Sequence, residues 1–286
     1  MTTLVPLPGV AAEHLLTALQ QEAINLVNLH SAPGTGVDRF NAYLRWSNEA
    51  LVRLSLMVRA RDLNRLITTP RYWTLQAMDP SFRLLSLAGF VDLEVTDRLR
   101  EFEAARDRLL AELARWRNRP GRLVIADTNV FLHSERYFDE IRWDEIAGGQ
   151  FGVHLIIPML IIDELDAAKR TAGGKKVSAG GDETVRTRAR VTLKRIDQRL
   201  RPGTITTLRP GLGQNAAPVS AEVLLDEPGH ARLPHADDEL VDRAVGLQHL
   251  AGRDVHIVTN DLGMKFRAEA AGLNVVLPPA RTPAPS

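Results

Sequence analysis

Apolar side chains recur at helical spacing through the first 118 residues and then gather into short unbroken runs. Leu15, Leu16, Leu19, Ala23, Leu26 and Val27 keep a 3.6-residue period, which predicts a first helix. The breaker SAPGTG separates it from a second periodic stretch with Phe40, Leu44, Leu51, Leu54, Leu56 and Val58. A third helical segment is predicted from about Thr74 to Leu87, after Pro70. A fourth runs from Asp92 to Trp116, with Leu93, Leu99, Phe102, Leu109, Leu110 and Leu113 on one broad face. No alternating pattern marks a strand here. Residues 1–118 therefore predict an all-α domain, with Trp46, Trp73 and Trp116 in its core and RNRPGR (117–122) as the linker out of it.

From Leu123 onward, short β-type runs alternate with helical stretches, the pattern of an α/β fold with a parallel sheet flanked by helices. The predicted strands are 122–126, 153–157, 204–208, 255–259 and 274–277, with VSAEVLL (219–225) as a candidate sixth. Helices are predicted at 135–147, 159–171, 182–200, 237–251 and 263–271. The second domain thus spans 119–278, and the Pro-rich tail at 279–286 is expected to be disordered.

Composition narrows the chemistry. A 44% hydrophobic share is enough for a buried core, and a net charge of +1 gives the whole chain no pull towards a polyanion. The chain has no cysteine, which excludes disulfides, thiolate zinc sites and a Cys nucleophile and fits a reducing, cytoplasmic setting. The start MTTLVPLPGVAAEHLL lacks a basic segment followed by a long apolar run, so no signal peptide is expected. No stretch is long and apolar enough for a membrane span, so no membrane partner is expected.

Acids at strand ends and helix starts carry the chemistry. Asp127 closes LVIADTN, Glu164 follows HLIIPMLIID, and Asp261 closes VHIVTND. Asp237 and Asp238 open DDELVDRAVGLQHL. In an open α/β sheet the carboxyl ends of the strands form the ligand crevice, where acids from separate segments can meet. Clustered carboxylates repel one another, and a divalent cation relieves that repulsion. Each acid alone also fits a helix cap, Asp237 above all, and Asp163 and Asp166 beside Glu164 read as solvated.

The series ADTNVFL, IPMLIIDELDAAK, DDELVDRA and VTNDLGMKFRAEAAGL, over about 122–278, resembles a PIN domain. The resemblance implies a nuclease acting mostly on RNA, with Mg²⁺ or Mn²⁺ held by three or four acids. Asp127, Glu164 and Asp261 match the first-strand acid, the acid of the helix after strand two, and the acid of the turn after a late strand. Asp237–Leu240 fits the family's D-x-x-[IL] frame, while the neighbouring Asp238 could share the role, so the third ligand stays open between them. Asn129 and Thr259 match polar positions that orient acids or bind a phosphate-side water. A homodimer is a further expectation of the resemblance, as are products with 5′-phosphate and 3′-hydroxyl ends. Two rival roles are an RNA-binding module with a vestigial site and the toxin of a toxin–antitoxin pair. The extra 118 residues argue against the toxin.

Other motifs fail on their context. Asn129 stands where a haloacid-dehalogenase-like phosphatase needs a second acid. GLGQNA (211–216) lies between Pro210 and Pro218, so it opens no phosphate-binding helix. Residues 169–201 carry eleven Lys or Arg against Asp182, Glu183 and Asp197, a local charge of +8. Lys169, Arg170, Lys175, Lys176, Arg186 and Arg190 are the expected nucleic-acid contacts there, with Lys265 and Arg267 after Asp261. The Gly-rich stretch 171–181 is expected to move and to close over a bound strand. Single-stranded RNA is the expected partner, and sparse aromatics leave base stacking a minor part.

Overall fold

The computed structural model describes residues 4–7, 9–79, 84–148, 151–171, 174–177, 182–211, 217–227 and 230–278. The chain divides into two compact units, one ending at Arg117 and the other running from Asn118. The predicted tail and the core of GLGQNA fall outside the described residues.

The first unit is helical: α1 (Ala12–Ser31), α2 (Gly36–Ser55), α3 (Ala60–Leu66), α4 (Pro70–Gln76) and α5 (Leu84–Arg117). Thr35 starts α2 with a capping box, its hydroxyl taking the Asp38 N–H while Asp38 takes its own. Leu15, Leu19, Ala23 and Leu26 of α1 are buried as their spacing predicts. On α2 the buried face is Phe40, Tyr43, Trp46, Ala50 and Leu54, whereas Leu56 follows the helix and is exposed. The third predicted segment is corrected: the helix stops at Gln76, because Ala77 to Asp79 leave helical geometry. The fourth begins earlier than predicted and makes one 34-residue helix, whose Leu93 and Leu110 face outward. Trp73 is 59% exposed, against the prediction of a core role, while Trp46 and Trp116 are buried. A buried carboxylate ties α1 to α2: Glu22 accepts from Trp46 Nε1 at 3.0 Å and Arg53 Nε at 2.8 Å.

The second unit is a six-stranded sheet of β1 (Arg122–Ala126), β2 (Val153–Pro158), β3 (Thr206–Arg209), β4 (Val219–Leu224), β5 (Val255–Val258) and β6 (Asn274–Val276). The strand order is β3-β4-β2-β1-β5-β6. All neighbours are parallel except β3, which runs antiparallel to β4 at the edge. The candidate strand 219–225 is therefore an interior strand of the sheet, and the predicted 204–208 strand is the antiparallel edge. Its helices are α6 (Thr128–His133), α7 (Trp143–Ala147), α8 (Met159–Thr171), α9 (Val185–Arg199), α10 (Ala236–Ala251) and α11 (Leu262–Ala270). The predicted helix 135–147 is corrected to α7 alone, and α6 stands where no helix was predicted. Asp127, serving as N-cap, starts α6 directly at the strand end.

All of β2 and most of β1 and β4 are buried, as apolar runs covered on both faces should be. The strands begin in close register: a Cβ on Gly121 would lie 2.5 Å from the Gly152 carbonyl carbon, and one on Gly152 would lie 2.6 Å from the Pro218 oxygen. Only glycine fits at either place, since both also have positive φ. Four residues before Asp127, Leu123 faces His154, which belongs to a buried polar cluster. His154 Nε2 lies 2.9 Å from Glu222, and Arg119 holds the same carboxylate with two nitrogens at 2.6 and 2.8 Å. Burial opposes ionisation of Glu222, but His154 and Arg119 outweigh it and pull its pKa down to about 2.

Candidate functional site

The chain leaves β1 towards β2 on one side and returns to β5 on the other, so the carboxyl ends of β1 and β5 flank the topological switch point. Asp127 stands at that end of β1 and is only 7% exposed. Its N–H donates to the Val258 carbonyl at 2.9 Å, which fixes its place between the two strands. Thr259, fully buried at the end of β5, donates its hydroxyl to Asp127 Oδ2 at 2.9 Å. The same Thr259 oxygen accepts the Asp261 N–H at 2.9 Å, so one hydroxyl links two of the acids. Asn129 adds two longer bonds to Asp127, from its N–H at 3.4 Å and from Nδ2 at 3.3 Å. Both polar residues singled out in the sequence therefore orient Asp127.

Glu164 lies on α8, half-buried, and accepts from the Thr128 hydroxyl. Thr128 was not singled out by the sequence reading. Its place next to Asp127 in ADTN is the only sequence signal it carries, and nothing local says that it faces α8. Burial raises the pKa of both Asp127 and Glu164 above the ordinary carboxylate range. Thr259 and Asn129 oppose this at Asp127, as Thr128 does at Glu164. Asp237 pushes both values up, and Asp127 pushes up that of Glu164. These three carboxyls from β1, α8 and α10 therefore stand close enough for their charges to repel.

Asp237 and Asp238 occupy the first turn of α10, and His235 before them caps it with backbone alone. Neither aspartate is free. Arg267 of α11 reaches Asp237 Oδ2 with Nη1 at 3.3 Å and Asp238 Oδ1 with Nε at 3.0 Å. Asp261 is exposed and caps α11, its Oδ1 accepting the Met264 N–H at 2.9 Å. Glu239, the next acid of α10, is 1% exposed and points away into a structural network. It accepts from the Leu233 N–H, His230 and Arg243, all within 2.9 Å. Those bonds outweigh burial and lower its pKa.

Among the described residues, no three His, Cys, Asp or Glu side chains converge tightly enough to hold an ion as they stand. Each acid has another partner instead: Arg267 takes Asp237 and Asp238, the α11 cap takes Asp261, and Thr128 takes Glu164. In donor chemistry the set is oxygen-only, which suits a hard divalent cation such as Mg²⁺ or Mn²⁺.

The basic segment is less open than its sequence charge suggests. Arg188 is 3% exposed and is spent on the carbonyls of Phe131, Ser134 and Arg136. Arg195 and Arg199 pair with Asp139. Asp166, read as solvated, takes both Lys169 and Arg170, and Asp163 pairs with Arg232. Lys176 meets Asp182 at 2.9 Å, Arg186 donates to the Arg170 carbonyl, and Lys265 lies 3.8 Å from Glu269. Lys175, Arg190 and Lys194 are exposed. The stretch expected to move is described only in part. Within it, Val177 and Lys175 pair with Glu183 and Val185 through backbone bonds of 3.0 and 2.8 Å. The pKa of His133, the last residue of α6, is lowered by burial and then by the charges of Lys175 and Arg188.

A buried aspartate at the switch point of a mostly parallel sheet, with acids on the neighbouring elements, stands where open α/β sheets form their ligand crevice. The family model described as the PIN domain matches residues 124–277, and the chain belongs to the PIN-domain family, whose members are generally nucleases. The chain has no significant match among the curated proteins or the solved structures.

Proposed function

We propose that the second unit is a divalent-metal-dependent ribonuclease. The observation that supports this most is the placing of Asp127, buried at the end of β1 and held by Thr259 and Asn129, with Glu164 of α8 and Asp237 of α10 near enough to raise its surroundings' negative charge. Carboxyls gathered near one sheet edge oppose one another as they stand, and a cation between them turns that repulsion into attraction. Asp127, Glu164 and Asp237 would hold Mg²⁺ or Mn²⁺, with Asp238 or Asp261 completing the set. Such an ion supplies charge neutralisation for a phosphodiester and makes a water molecule more acidic. The residues of the chain do the rest. Thr259 and Asn129 fix the Asp127 carboxylate, Thr128 fixes Glu164, and the exposed Lys175 and Arg190 attract the phosphate backbone.

The test is a labelled single-stranded RNA incubated with Mn²⁺, Mg²⁺ or EDTA, beside Asp127→Asn. Cleavage that needs both metal and Asp127, leaving 5′-phosphate ends, is expected. Cleavage in EDTA, or by the variant at the wild-type rate, refutes the site. A second reading, an RNA-binding module without turnover, is favoured by the ion pairs that occupy Asp237 and Asp238. Tight, salt-sensitive binding with no metal-dependent cleavage would select it.

A further inference from the structure

The side chain that occupies the acid edge is a cation of the chain itself. Arg267 sits on α11, six residues after Asp261, and lies back along the helix towards its start. Its Nη1 and Asp261 Oδ1 share the space over Gly263, where a Cβ would be 3.1 Å from the first and 3.0 Å from the second. From there the guanidinium forks across to Asp237 at 3.3 Å and Asp238 at 3.0 Å. A planar fork can hold two carboxylates at once, which a lysine ammonium does less well. Lys265 on the same helix turns to Glu269 instead. All three side chains of the Arg267 cluster are partly exposed, at 46% for Arg267 and 43% for each aspartate. Pairs of that kind are weak and exchange readily.

We propose that Arg267 is a built-in counter-cation: it holds Asp237 and Asp238 while the protein is metal-free and yields them when a divalent ion enters. The released guanidinium then faces the site from the start of α11 and takes an RNA phosphate by charge-assisted hydrogen bonds. This rests on the metal-dependent reading above. Arg267 is thus both a competitor of the metal and a positioning residue for the substrate, and its removal moves two readouts in opposite directions.

The experiment is Mn²⁺ titration of the full chain by calorimetry for wild type, Arg267→Gln, Arg267→Lys and Asp127→Asn, followed by RNA kinetics at saturating Mn²⁺. Arg267→Gln is expected to bind Mn²⁺ about three- to tenfold more tightly, because two weak ion pairs no longer compete. Arg267→Lys stays nearer wild type, and Asp127→Asn binds more weakly. At saturating metal, Arg267→Gln shows a raised KM for RNA. Unchanged or weaker Mn²⁺ binding by Arg267→Gln, with Asp127→Asn still impaired, overturns the proposal and leaves the metal site standing. Absence of Mn²⁺ binding in every protein overturns both. Tighter Mn²⁺ with an unchanged KM overturns the phosphate half.

Discussion

Replacing Thr259 with valine tests the coupling at the centre of the site. Valine has nearly the size and the β-branched shape of threonine, so in this fully buried position the cost of the change comes from the hydroxyl and not from a cavity. It removes one hydroxyl with two bonds, the 2.9 Å donation to Asp127 and the 2.9 Å acceptance from Asp261 N–H. A hydrogen bond to a charged group contributes about 1.5–3 kcal/mol and a neutral one about 1 kcal/mol. The other donors to Asp127 are longer, at 3.3 and 3.4 Å, and replace little of the loss. The expected cost is therefore about 2–4 kcal/mol, a fall in melting temperature of roughly 4–16 °C for a unit of this size. Function should suffer separately. Groups that orient metal ligands typically contribute about 10–100-fold in affinity, so Mn²⁺ binding should weaken by that order. Thr259 also lowers the Asp127 pKa, so its loss raises it further and shifts Mn²⁺ binding to higher pH. Thr259→Ser retains the hydroxyl and should restore most of both properties. Thermal unfolding and Mn²⁺ calorimetry across pH are the assays. A valine variant with wild-type melting and wild-type Mn²⁺ affinity would refute the argument that one hydroxyl organises the acids.

Two further outcomes follow from the same structure. Asp127 and Glu164 have folded pKa values above their ordinary 3.8 and 4.5, so the stability they contribute is full below those values and is lost as pH rises through the folded range. Glu222 has the opposite sign: its contribution is present above 4.5 and is lost as pH falls towards about 2. In EDTA, wild type should therefore lose stability relative to Asp127→Asn as pH rises above 3.8, and a flat difference between their melting curves would contradict the burial of Asp127. Gly152→Ala should cost roughly 2–5 kcal/mol, from the left-handed backbone plus overlap with Pro218, while Mn²⁺ affinity measured below the melting point stays unchanged. Wild-type melting of that variant would show that the strand starts have slack.

The fold was legible where periodicity is strong. The strands 122–126, 153–157 and 255–259 and the helices 159–171 and 237–251 are found within one residue of their predicted bounds. Misreadings arose where local signals conflict with packing. Residues 135–142 have helical composition, yet Tyr137 and its neighbours are held as turns by Arg188 and Arg195 stacked on the Tyr137 ring. Trp73 is a large apolar side chain that reads as core, but α4 is too short to bury more than one face, and Tyr72 and Leu75 take that face. The charge run at 169–201 could not show that Arg195 and Arg199 are already partnered, since Asp139 and Glu140 come from a distant turn, whereas Asp166 meets Lys169 and Arg170 within α8.

By itself the sequence determined the identity and order of the acids and the alternation that brings them to strand ends. Spacing along a strand or helix is a local property, and a chain of hydrophobic runs ending in Asp leaves few other arrangements. Only the tertiary structure decided how those acids are partnered. Thr259 reaches Asp127 across 132 positions of chain, Thr128 reaches Glu164 across 36, and Arg267 reaches Asp237 across 30. Each of these bonds depends on which strands lie side by side and on the few ångströms between two helix starts. Pair distances of that kind arise from packing the whole unit, and no local pattern of residues encodes them.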